Sequence, residues 1–121
     1  MTKNGIPVGR EPLPMNQWLS RAREMGFELR VDHEPEHFTV YVMLKPKTRK
    51  AKTAVDLALE DDCELITVRT VYDKASAEMR SKGIEPPPRE DQGKHIAIAM
   101  DDSITYALTM AQQALLKAEA A

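Results

Sequence analysis

Two alternating runs around a proline turn constrain this chain more than any other feature. Phe27, Leu29 and Val31 alternate with Glu28, Arg30 and Asp32, the two-residue period of a half-buried strand. After Glu34-Pro35-Glu36, which is turn chemistry, Phe38, Val40, Val42 and Leu44 share one side while Thr39, Tyr41 and Met43 share the other. Both sides of the second run are fairly apolar, so it reads as a central or doubly covered strand. The spacing therefore predicts an antiparallel hairpin over residues 27–44. A two-stranded ribbon is marginal in water, so one or two further strands and a cover of helices must complete it.

Helical patterns supply the cover. Trp18, Leu19, Ala22 and Met25 fall on one face of a helix from Pro14 or Met15 to Met25, with Asn16 as its N-cap. Gly26 suits the left-handed residue that closes it. Thr53–Asp61 is helical, with a start as early as Thr48 left open. Residues 64–83 carry two patterns: an apolar stripe at helical steps, and the β-branched run Ile66, Thr67, Val68, Thr70, Val71. A strand from Leu65 to Val71 followed by a helix from Asp73 to Lys82 is preferred. Lys94–Met100 alternates and is offered as a further strand, with His95 at its edge. The last helix is amphipathic, with Ile104, Ala107, Leu108, Ala111, Ala114, Leu115 and Ala118 on one face and Asp101, Asp102 or Ser103 as its cap. The expected class is α+β, a small antiparallel sheet packed against three to four helices.

At 121 residues the chain is long enough for one domain, read as residues 15–121 behind a Pro/Gly-containing arm at 1–14. Pro86-Pro87-Pro88 marks a proline-rich linker at 84–93, a semi-rigid spacer. No apolar run approaches the ~20 residues of a membrane span. Residues 1–14 hold no continuous apolar stretch of the signal-peptide kind. One cysteine, Cys63, excludes an internal disulfide, and its neighbours Asp61, Asp62 and Glu64 disfavour the reactive thiolate. The expected setting is the cytoplasm.

Charge is distributed unevenly. Lys45, Lys47, Arg49, Lys50 and Lys52 crowd one octet that contains no acid, and since the chain nets −2, everything outside the octet sums to −7. Asp56, Glu60, Asp61, Asp62 and Glu64 follow. If a helix starts near Thr48, cations sit at the positive end of its dipole and carboxylates at the negative end, each costing about 0.3 kcal/mol or more. A bound anion would account for that order; a solvated turn is the plainer reading.

In outline, the helix over 15–25, the hairpin and the segment Lys47-Thr48-Arg49-Lys50-Ala51-Lys52 resemble the double-stranded-RNA-binding domain over under half of the chain. The third strand that should precede the lysines and the glycine-rich lead into them are both missing, so the likeness is one of generic helix-plus-hairpin architecture.

Other candidates weigh less. His33-Glu34-Pro35-Glu36-His37 offers two imidazoles and two carboxylates at the hairpin tip, but a polar turn without metal is the preferred reading of His33 and His37. Tyr72-Asp73 reads as a helix cap. No phosphate-cradling glycine loop and no convergent catalytic set is visible. The sequence thus leads to an expectation of a non-enzymatic interaction protein without cofactor or membrane anchor. It would bind an acidic protein partner through Lys45, Lys47, Arg49, Lys50 and Lys52, with Arg21 and Arg23. Nucleic-acid binding through the same segment is the alternative, and a homodimer is a further possibility because the core is thin.

Overall fold

The computed structural model describes residues 15–59 and 64–120, with the backbone of Thr2–Lys3 and Ile6–Pro7. Those two short pieces, β1 and β2, pair antiparallel, so part of the expected arm is extended backbone; the rest of residues 1–14 lies outside the described residues. There follow α1 (Met15–Glu24), β3 (Phe27–Glu34), a 3-10 turn (Pro35–His37), β4 (Thr39–Pro46), α2 (Arg49–Ala58), β5 (Ile66–Val71), α3 (Lys74–Ser81) and α4 (Gln92–Ala120). The architecture is α+β, a three-stranded antiparallel sheet in the order β3-β4-β5 with helices packed on it.

Register explains which side is covered. Leu29 opposes Leu44 and Val31 opposes Val42 across β3 and β4, while Leu44 and Val42 oppose Ile66 and Val68 across β4 and β5. These residues share one face, where they join Trp18, Ala22, Ala51, Val55, Ile104, Ala107 and Ala111 in the core. The alanines Ala51, Ala54, Ala107 and Ala111 are fully buried, and their small side chains let α2 lie close against α4. The indole Nε1 of Trp18 donates to Oδ1 of buried Asp101 at 3.1 Å and ties α1 to α4. The opposite face carries Arg30, Tyr41, Met43, Lys45, Thr67 and Arg69 and is largely open to solvent.

Residues 64–83 divide as preferred, into a strand and a helix, and Asp73 is the N-cap of α3. Three expectations are corrected. Lys94–Met100 is not a strand but the first part of the 29-residue α4, so His95 stands in a helical turn and not at a strand edge. The Ile96–Met100 alternation misleads because Ile96, Ala99, Met100, Ser103, Ile104 and Ala107 also recur at steps of three and four; packing against the sheet selects that period. Asp101, Asp102 and Ser103 are accordingly interior to α4 and cap nothing; the Ser103 hydroxyl hydrogen-bonds the Ala99 carbonyl and Thr70 of β5 instead. Asn16 is likewise inside α1 and is not its cap. The proline-rich connection is shorter than read, since Gln92 and Gly93 already belong to α4, and Pro86 within it is buried. Among the described residues no helix is long and apolar enough to cross a membrane.

Candidate functional site

The basic octet runs off the end of β4 into the start of α2. Thr48 stands between them in extended conformation, and its hydroxyl accepts the Ala51 N–H at 3.1 Å, an orthodox N-cap. The cap is wedged against the end of α1. Gly26 adopts φ +88°, which closes α1, and its carbonyl accepts the Lys47 N–H at 2.8 Å. A Cβ at Gly26 would lie 2.5 Å from the Thr48 hydroxyl oxygen. A shallow groove of about 430 Å³ opens here, lined by Leu19, Arg23, Phe27, Glu28, Lys47 and Thr48 among others.

The structure brings some of the expected cations together and engages others elsewhere. Arg23 and Lys47 share that groove. Lys47 pairs with Glu28 at 3.2 Å, both half exposed. Lys50 pairs with Glu119, in the last turn of α4. That pair gives part of the charge anomaly a structural cause. α2 begins beside the end of α4, so a cation misplaced for its own helix dipole is well placed for its neighbour's. Arg21 lays its guanidinium 5.3 Å from the centroid of the Trp18 ring. Lys45, Arg49 and Lys52 are exposed and make no ion pair with the described residues. No acid occupies the first turn of α2, and Glu60, Asp61, Asp62 and Cys63 lie outside the described residues.

His33 and His37 do not converge. His33 Nε2 lies 2.9 Å from the Tyr72 hydroxyl, while His37 lines a second groove at the hairpin tip. Among the described residues no group of three or more metal-ligating side chains could hold an ion. His95 pairs with Asp91 one turn back at 2.8 Å; that hydrogen bond and the imidazole's charge hold the Asp91 carboxyl below its usual value.

Asp73 sits at the junction of α3 with the proline-rich connection. It is only 6% exposed. It accepts the Ser76 N–H at 3.0 Å and the Ser76 hydroxyl at 2.6 Å, with Arg89 3.5 Å away. Burial pushes its carboxyl up, but those hydrogen bonds with the charges of Arg89 and His95 outweigh burial and hold it below the usual value. Burial raises the neighbouring Tyr72 phenol, against a hydrogen bond with Gln92. This cluster is a capping and clamping device: each group in it is satisfied by another.

The tip groove, about 670 Å³, is the larger cavity, and its basic residues Arg69 and Arg80 were not among those the sequence singles out. Arg80 reads locally as an ordinary exposed helix residue. Its partners Glu36 and Phe38 lie more than forty residues away in the chain. Only Glu85, five residues on past Gly83, gives a local signal.

No protein-family model matches the chain, no curated protein matches it, and no solved structure matches it.

Proposed function

We propose that the chain is a small non-enzymatic interaction protein whose contact surface for an acidic protein partner is the entrance to α2. One observation carries the reading. Lys45, Arg49 and Lys52 have no ion pair among the described residues, and they flank a helix start whose amide dipoles add to their positive potential. With Lys47 and Lys50 turned toward Glu28 and Glu119, the expected surface narrows to these three cations with Arg23. The cytosol, where a single cysteine stays reduced, is the compartment this reading assumes.

A second reading, phosphate binding, gains support from one feature. Tyr41 lies on the same open sheet face as Lys45, with Arg69 directly across from it, so one aromatic ring shares a face with one of the cations. A salt titration separates the two. The triple variant K45E/R49E/K52E is compared with the wild type for binding of a glutamate-rich peptide and of a single-stranded RNA. The protein-partner reading expects peptide binding that the triple variant weakens at least tenfold. RNA binding whose logarithm falls with log salt at a slope of about −2 assigns the cations to phosphates instead. Equal peptide binding by wild type and variant removes the α2 entrance as the contact surface.

A further inference from the structure

We propose that the groove at the hairpin tip is a carboxylate-binding site, occupied in this structure by the chain's own Glu85, and that it takes a small ligand with a carboxylate on an apolar body. The site is separate from the α2 entrance and does not depend on its function.

The local sequence builds it. α3 ends at Gly83 in the left-handed conformation, φ +80°. Gly83 N–H bonds to the Arg80 carbonyl and Ile84 N–H to the Met79 carbonyl, the reversal that folds a chain back along the helix it has just left. That reversal returns Glu85 to Arg80, and its Oε1 accepts from Nη2 at 2.8 Å. The guanidinium is held in place from two other directions. Nη1 donates to the Glu36 carbonyl at 3.2 Å, and the ring of buried Phe38 lies 4.9 Å beneath. Phe38 itself has φ +51°, a left-handed conformation that a bulky residue adopts only when its surroundings impose it. Here its amide bonds Pro35 and its carbonyl accepts from Tyr72 N–H, which fixes the ring as a platform for the cation.

One edge of the guanidinium is incompletely used. The Nε–H and an Nη2–H bond point the same way, the fork that takes both oxygens of a carboxylate. Glu85 engages Nη2 alone, and Nε is buried with no hydrogen-bond partner among the described residues. A buried donor left unmet is a standing cost that a second oxygen would remove. Glu85 is 80% exposed and on a connecting segment, so it can leave. Around this edge the groove is lined by a second cation, Arg69, by the His37 imidazole, by one further acid, Glu36, and by apolar surface on Val71 and Ala77. A ligand carboxylate would replace that of Glu85 on the fork, with its apolar body along Val71 and Ala77.

The test uses hexanoate and its neutral isostere hexanamide as probes, followed by backbone amide NMR shifts in the full chain. The expected result is saturable shifts at Val71, Ala77 and Arg80 with hexanoate and none with hexanamide. E85Q, which removes the internal competitor from an exposed position, tightens hexanoate binding about fivefold; R80K, which keeps the charge and loses the fork, weakens it about tenfold. The proposal is overturned if E85Q shows no saturable hexanoate shift in the groove, if hexanamide binds equally well, or if R80K binds as E85Q does.

Discussion

The starts of α2 and α3 solve the same problem in opposite ways. Both helices begin with a side-chain oxygen that accepts the N–H three residues on, from Thr48 to Ala51 and from Asp73 to Ser76. At α3 the acceptor is a buried carboxylate clamped by Arg89, so the helix dipole meets a negative charge within the fold. At α2 the acceptor is a neutral hydroxyl, the flanking residues are cations, and no acid lies in the first turn. The helix that helps clamp the proline-rich connection is electrostatically closed. The start of α2, where Thr48, Arg49 and Lys50 are exposed, retains positive potential, and the proposed contact surface lies there.

Breaking the closed start should have the larger effect. D73A removes a cap, a second bond to the Ser76 hydroxyl and the partner of Arg89, and should destabilise by about 2–3 kcal/mol in urea unfolding. T48A should cost about 1 kcal/mol by the same measurement. Equal losses would show that the carboxylate has no advantage over the hydroxyl. T48D gives α2 the kind of start that α3 has, and should gain about 0.5 kcal/mol while weakening binding of the glutamate-rich peptide. A loss of stability there would mean that the dipole argument fails at this position. K50A, which removes a surface pair with Glu119, should change stability by no more than about 0.5 kcal/mol, an effect that 1 M salt abolishes.

Acid sharpens the same contrast. The folded pKa of Asp73 is depressed, so its stabilising contribution is complete above the ordinary carboxylate value of 3.8 and is lost as the pH falls through the lower folded value. Unfolding midpoints measured from neutral pH downward should therefore fall less steeply for D73N than for the wild type. T48A, which alters no titrating group, should run parallel to the wild type. An acid limb unchanged by D73N would remove Asp73 as its source.

What the sequence made legible was local. The hairpin, the Gly26 ending and the Asp73 cap follow from patterns a few residues wide, and each stands where those patterns predict. The Lys94–Met100 alternation satisfies both periods over so short a span, and only Asp101, Ser103 and Ile104 beyond it show the helix continuing. The basic octet was legible as composition but not as geometry. Nothing near Lys50 announces Glu119, and the grouping of Arg80 with Glu36 and Phe38 depends on how the sheet folds back on itself. Long-range pairs decide which cations are free, and no sequence window contains them.

Position 26 is constrained twice over. Asparagine tolerates the backbone angle, yet it brings the same extra carbon toward the oxygen that caps the next helix. A substitution that repairs one fault leaves the other standing. The junction between the first two helices is thus a place where neither tolerance of conformation nor tolerance of size alone rescues a mutant, and drift in the surrounding chain must proceed around a fixed point.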